Sequence, residues 1–247
     1  MSDLEKPDPW AALSRFTAAR IALGRAGGSV RTETLLDFRL AHARARDAVA
    51  LPFDAAALSQ ALGALGIDTC SLATQATDRA SFLLNPDLGR RLQADSLTQL
   101  VASRAEWGQR DLCIVVSDGL SALAANRQIV PLLAALIPLL LREGVSLYPI
   151  FVVPFARVKI ADELGETLGA RHSLILLGER PGLSSPDSLG AYLTYQPRAA
   201  CSDADRNCVS NIRPEGLPPA RAADSLLRLL CESARLGLSG VSLKLGA

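Results

Sequence analysis

Asp-Leu-Cys-Ile-Val-Val-Ser-Asp-Gly, residues 111–119, carries the strongest architectural signal in this chain. It is a short unbroken apolar run that stops in turn-forming residues. A half-exposed strand would alternate, so this pattern is that of a strand buried on both faces of a parallel sheet. Two further stretches repeat it, SLYPIFVVP at 146–154 and HSLILLGER at 172–180. Between them the apolar spacing becomes helical. Residues 121–142 predict a helix interrupted at Pro131 and Pro138 and closed by Gly144, and residues 159–168 one closed by Gly169. Strand, helix, strand, helix, strand predicts an α/β fold, Rossmann-like and doubly wound, with a mainly parallel sheet. Ligands of such sheets lie beyond the carboxyl ends of the strands. Ser117, Asp118 and Gly119, the turn at 154–158, and Gly178, Glu179 and Arg180 are therefore expected on one rim. A last helix at 220–235 places Ala223, Leu226, Leu227, Leu230 and Ala234 on one buried face.

Before residue 100 the pattern is helical. Thr34, with Asp37 following it, is expected to cap a helix that runs to about Ala50, since an acidic group in the first turn favours the helix dipole. Residues 56–65 and 86–102 predict two more helices, the second opening on Pro86, a residue suited to a first helical turn. The chain thus divides into a helical N-terminal portion, 1–105, and a Rossmann-like portion, 106–247, with no internal repeat.

Composition narrows the function. The 247 residues are 49% hydrophobic and 21% charged, which is ordinary for a globular protein with one sizeable core or two smaller ones. A net charge of +1 gives no electrostatic footprint for nucleic acid. Five cysteines without CxxC spacing indicate neither a disulfide framework nor a zinc site, and fit a reducing cytoplasm. The opening MSDLEKPDPW does not have the form of a signal peptide, and the apolar run 129–141 is too short to span a bilayer. No P-loop string occurs, and GRAGG at 24–28 does not follow a predicted strand, which disfavours a dinucleotide fingerprint. There are two histidines, His42 and His172, and neither adjoins a nucleophile elbow; His172, at the start of a buried strand, is expected to be structural. A stand-alone hydrolase using Ser117 or Ser184 remains one alternative, and a non-catalytic assembly module another.

Residues 178–216, GERPGLSSPDSLGAYLTYQPRAACSDADRNCVSNIRPEG, predict a long irregular loop directly after a buried strand, the kind of segment that carries binding groups. This string resembles the small subunit of ethanolamine ammonia-lyase from GERPGL through Asp-Arg-x-Cys to SNI. RIALGRAG at 20–27, TLLDFRLAHARARDAV at 34–49, SDGLSA at 117–122, RVKI at 157–160 and LSGV at 238–241 are similar to the same family. The likeness covers most of the chain from about Arg20 onward.

The resemblance implies an adenosylcobalamin enzyme that converts ethanolamine to acetaldehyde and ammonia. It implies a large TIM-barrel subunit that binds ethanolamine, several copies of each subunit in an α6β6-type complex, and a bacterial cytoplasm, with or without an enclosing ethanolamine-utilisation microcompartment. Neither nucleic acid nor membrane is expected as a partner. No DxHxxG string is present, so the cofactor is expected to keep its own benzimidazole on cobalt. The positions matching the family's cobalamin contacts are Val158, Glu179 and Cys208, with no catalytic residue and no metal ligand assigned to this chain. By residue type alone, Val158 could simply pack the next helix, Glu179 could pair with Arg180, and Cys208 could be a small buried hydrophobe. Arg39, His42 and Arg46 share one helix face, which is either solvated or a subunit or phosphate contact.

Overall fold

The computed structural model describes residues 5–6, 8–17 and 19–243, so part of the opening read above as no signal peptide lies outside the described residues. An amino-terminal arm comes first, with β1 (Glu5–Lys6), β2 (Arg25–Ala26) and β3 (Ser29–Val30) in a small antiparallel sheet. GRAGG is the turn of this hairpin, with Gly27 at φ +61°, a backbone region that favours glycine. Helices α1 (Thr32–Ala50) and α2 (Ala55–Ala64) follow, then β4 (Thr69–Ser71), α3 (Arg79–Leu84), α4 (Ala94–Trp107) and β5 (Leu112–Ser117). The chain continues through α5 (Ala122–Arg142), β6 (Ile150–Val152), α6 (Ile160–Leu168), β7 (His172–Gly178), β8 (Leu189–Tyr195), β9 (Arg206–Ile212) and α7 (Pro219–Leu236).

The main sheet has the order β4-β6-β5-β7-β8-β9, parallel from β4 to β7 and antiparallel from β7 to β9. Every residue of β5 and of β7 is buried, as unbroken apolar runs require. Successive side chains face opposite layers. Leu112, Ile114 and Val116 join α2, α5 and α7 in one core, while Cys113 and Val115 join α4 and α6 in the other. The α/β, Rossmann-like reading is therefore correct.

Several local readings are not. Residues 178–216 are not one long loop, because β8 and β9 lie within them. β8 is buried on both faces and shows no alternation. β9 buries Arg206, Val209 and Ile212, a spacing of three, and the pairing shifts register between Leu189 and Ala191 where Asn211 sits at φ +58°. A period-two search misses such a bulged edge strand. β4 was also hidden in the segment read as helical, since three residues pairing with β6 are too few for a pattern.

Thr34 is not a cap. The helix starts at Thr32 after Arg31, and the Thr34 hydroxyl donates to the Leu23 carbonyl at 3.2 Å. The expected helix at 86–102 is a 3-10 turn, Pro86–Arg90, followed by α4. Helix α5 runs unbroken through Pro131 and Pro138, with its amino end capped by Ser121. Ten of its residues are buried against the sheet and neighbouring helices, and that burial outweighs the lost backbone bonds. The same helix is long and apolar enough by composition to cross a bilayer, but it lies in the core of this fold.

Candidate functional site

The path β5, α5, β6 runs to one side of β5, and the chain then returns through α6 to place β7 on the other side. Strand order therefore reverses between β5 and β7, and a doubly wound sheet opens its ligand crevice at the carboxyl ends of such a pair. Here the two ends touch. The Leu120 amide donates to the Gly178 carbonyl at 2.8 Å, and a Cβ on Gly119 would come within 2.5 Å of the same oxygen. Gly119 also has φ +51°, so both conformation and closeness demand glycine. A cleft of about 450 Å³ lies over this junction, lined by Gly119, Leu120, Arg157, Val158, Leu177, Gly178, Glu179, Arg180 and Tyr192.

Val158 and Glu179, which the family likeness singles out, thus line one cleft. Val158 also packs on the core of α4 and α6, so its ordinary packing role and its place on the rim coexist. Glu179 does not pair with Arg180. Its carboxylate accepts from the Ser188 and Ser210 hydroxyls and, at 3.3 Å, from the Asn211 amide. These bonds tie the end of β7 to β8 and β9, and they leave about one of the roughly four acceptor positions of a carboxylate unfilled. Gly190 makes room, since a Cβ there would come 3.0 Å from the carboxylate.

Cys208 is not in the cleft itself. It lies exposed on β9, directly opposite Tyr192 of β8 in the strand pairing. Burial and then the neighbouring Cys208 hold the Tyr192 hydroxyl well above its usual pKa, so it remains a donor. Local desolvation raises the Cys208 thiol pKa, so no reactive thiolate forms near neutral pH. Sequence reasoning missed Tyr192 and Ser210, and Ser188 just ahead of β8, because it took β8 and β9 for loop. The aromatic-rich LGAYLTY run was the available signal.

Ser117 and Asp118 are structural. The Asp118 carboxylate accepts from the Phe155 amide at 2.7 Å and from Arg79 Nη1 at 2.9 Å, and the Ser117 hydroxyl accepts from the Ala156 amide at 3.0 Å. They clamp Phe155 at φ +58° and so aim the following residues, Arg157 and Val158, at the rim. Burial raises the Asp118 pKa, against the Phe155 amide and Arg79. Arg79 reaches further, donating from Nε to the Val49 carbonyl at 2.9 Å, which fastens the end of α1 to the rim.

His172 pairs with Leu112 at the amino end of β5, while Ser117 pairs with Leu177, about 16 Å away at strand spacing. A Ser117–His172 hydrolase pair is geometrically impossible. His172 instead contacts the Ser233 hydroxyl at 3.0 Å, and burial, then Arg171, depress its pKa to about 4. Ser184 lies exposed on the turn after β7.

A larger cleft, about 790 Å³, adjoins the first and shares Arg157 and Val158 with it. It is lined also by Arg90, Arg91, Lys159, Glu163 and Arg206. Most of its charge is compensated. Arg206 forks onto the buried Asp162 at 2.8 and 2.9 Å, Lys159 reaches Asp162 at 3.2 Å, and Arg91 meets Glu163 at 3.5 Å. Among the described residues no group of three or more His, Cys, Asp or Glu side chains is placed to hold a metal ion, and all five cysteines are free. Arg39, His42 and Arg46 are exposed on α1, with His42 stacked on Phe38.

Fold and rim together define a Rossmann-like α/β chain with a cleft at the switch point of its sheet. A family model described as the ethanolamine ammonia-lyase light chain matches residues 7–244. The chain belongs to that family. It is 56% identical over 238 residues to a protein of Azotobacter vinelandii named ethanolamine ammonia-lyase small subunit, covering 96% of this chain and 88% of the relative. Proteins with the same name from Pseudomonas fluorescens and Ralstonia nicotianae are each 54% identical, over 241 and 239 residues, covering 97% and 96% of this chain and 88% of each relative.

Proposed function

We propose that this chain is the small subunit of an ethanolamine ammonia-lyase and that its sheet rim closes one side of adenosylcobalamin against a large TIM-barrel subunit. The complex converts ethanolamine to acetaldehyde and ammonia, with ethanolamine bound by the large subunit. The observation that carries this reading is the convergence of Val158 and Glu179 on the switch-point cleft, whose lining residue Tyr192 faces Cys208 across the β8–β9 pair.

The residues present fit the cofactor's edge. Its rim of amides, its ribose and its phosphate call for polar partners beside an apolar wall. Val158, Leu177 and Tyr192 offer the wall, and Glu179 offers an acceptor held in place by Ser188 and Ser210. The Nε of Arg157 is buried without a hydrogen-bond partner, the kind of orphaned donor that a ligand-binding rim tolerates. A cleft of about 450 Å³ is far smaller than a corrin with its nucleotide, so this chain holds one edge and a second surface must enclose the rest. When bound, the cofactor supplies radical initiation through its cobalt–carbon bond. This chain contributes position and exclusion of water.

A partner is also what the amino-terminal arm calls for. Trp10, Phe16, Val30, Leu36, Phe38 and Leu40 are all exposed, a concentration of apolar surface that isolated chains rarely display. The large subunit is the proposed cover, in a complex with several copies of each chain, in a bacterial cytoplasm and in some settings inside a microcompartment.

Reconstitution tests the proposal. Ammonia release with adenosylcobalamin is expected from the pair of subunits and from neither alone; turnover by this chain alone would end it. In the assembled complex Glu179→Gln is expected to weaken cofactor binding by about 1.5–3 kcal/mol while the KM for ethanolamine at saturating cofactor stays unchanged. The reverse pattern, with cofactor affinity intact and KM raised tenfold, would remove this rim from the cofactor site.

A further inference from the structure

The acids around the switch-point cleft are already engaged. Asp118 holds Arg79, Asp87 holds Arg90 at 2.7 Å, and Glu179 is tied to two hydroxyls and an amide, with about one acceptor position left over. Arg157 and Arg180 line the cleft and have no carboxylate partner among the described residues. Arg157 is fixed rather than waving in solvent. Its guanidinium stacks 4.2 Å over the ring of Phe82, Nη2 donates to the Phe82 carbonyl at 3.2 Å, and Nε has no partner. Arg180 is exposed beside it on the same cleft.

Burial lowers the Arg157 pKa, and the nearby Arg79, Arg90 and Arg180 lower it further, with Asp118 the opposing charge. Like charges gathered at a partly desolvated rim cost stability, and a fold retains such an arrangement where a bound anion repays it. The cleft also borders the amino end of α5, a helix of 21 residues whose dipole adds positive potential. Backbone amides there are spoken for, since the Leu120 amide bonds Gly178 and the Ser121 amide bonds Asp118. Side-chain charge is left to hold the anion.

We infer that Arg157 and Arg180 form an anion seat for the phosphodiester of the cofactor's nucleotide tail. The inference rests on the proposed cofactor reading and goes further by dividing the labour: Glu179 meets neutral donors of the ligand, and the two arginines meet its phosphate. Arg157, immobilised on Phe82, sets the position, and Arg180 closes over the phosphate from the solvent side.

Cobinamide shares the corrin and cobalt of cobalamin but lacks the phosphodiester, ribose and base, so it reads the seat directly. With the assembled two-subunit complex, dissociation constants of both corrinoids are measured by absorbance titration for the natural chain, Arg157→Gln and Arg180→Gln. Each variant is expected to weaken cobalamin about ten- to a hundredfold and to leave cobinamide unchanged. Arg180→Gln carries the test if loss of the Phe82 stack lowers the melting temperature of Arg157→Gln, because Arg180 packs against nothing comparable. Equal weakening of both corrinoids, which a free phosphate in the seat or a partner's carboxylate would give, overturns the inference, as does no change in either. If the natural complex binds neither corrinoid, the cofactor reading fails and this inference with it. If it binds both and the variants do not separate them, the phosphate assignment alone falls.

Discussion

Phe82 and Phe38 are the same residue type in two regions that treat it differently. Phe82, at the start of the rim, is wholly buried and flanked by the guanidinium groups of Arg79 and Arg157 at 5.3 and 4.2 Å. Phe38, on α1, is 44% exposed, with the ring of His42 at 6.3 Å. The rim builds its own core and aims polar groups outward from it. The amino-terminal arm presents apolar side chains that its own chain does not cover, and only Ala41 and Ala48 of α1 are buried. One region is finished within the chain, whereas the other leaves apolar side chains exposed.

If that contrast holds, truncation in the two regions should differ by several kcal/mol. Phe82→Ala is expected to cost about 3–5 kcal/mol of unfolding free energy, measured by urea titration, because it leaves a cavity and strips the support from both arginines. A loss below about 1 kcal/mol would mean the rim is not preorganised. Asp118→Asn is expected to cost about 3 kcal/mol, since it keeps an acceptor for the Phe155 amide but leaves Arg79 without its counter-charge. Corrinoid affinity should fall in the same variant, as the turn carrying Val158 loosens.

A smaller effect comes from the opposite end of the sheet. Buried His172 has a folded-state pKa of about 4, below the ordinary value of 6.5, with Arg171 lowering it and Asp111 opposing. The unfolded chain therefore takes up this proton at a higher pH than the folded one. Its contribution is complete above pH 6.5 and is lost as pH falls towards 4, amounting to about 2 kcal/mol between pH 7.5 and pH 5. In urea titrations at those two pH values, His172→Asn should flatten the difference by that amount; an unchanged difference would show that His172 is not the titrating group.

The smallest effect is expected in the arm. Leu36→Ser and Phe38→Ser should alter the stability of the isolated chain by no more than about 0.5 kcal/mol. Their consequence should appear as weakened association with the large subunit in size-exclusion or calorimetric titration. Destabilisation of the isolated chain by 2 kcal/mol would instead assign these residues to its own core and erase the contrast.

The parallel half of the sheet was legible because complete burial on both faces writes an unmistakable run, as in β5 and β7. The rim was legible for a related reason, since carboxyl ends of such runs follow directly from strand order. β8 and β9 were not, because the burial of β8 on both faces and the bulge in the edge strand β9 erase the period-two signal. The interruption expected at Pro131 and Pro138 was wrong because local propensity was weighed without the sheet that overrides it.

The sequence by itself determined the fold class, the family and the two strand ends between which a cleft opens, since each is written in contiguous residues. Only the tertiary structure decided that Glu179 is held by Ser210, 31 positions away, that Tyr192 meets Cys208 across a strand pair, and that Arg157 and Arg180 line one cleft without an ion-pair partner among the described residues. Those relations depend on hydrogen-bond register and side-chain direction, which arise when distant segments pack and which no local pattern of residues encodes.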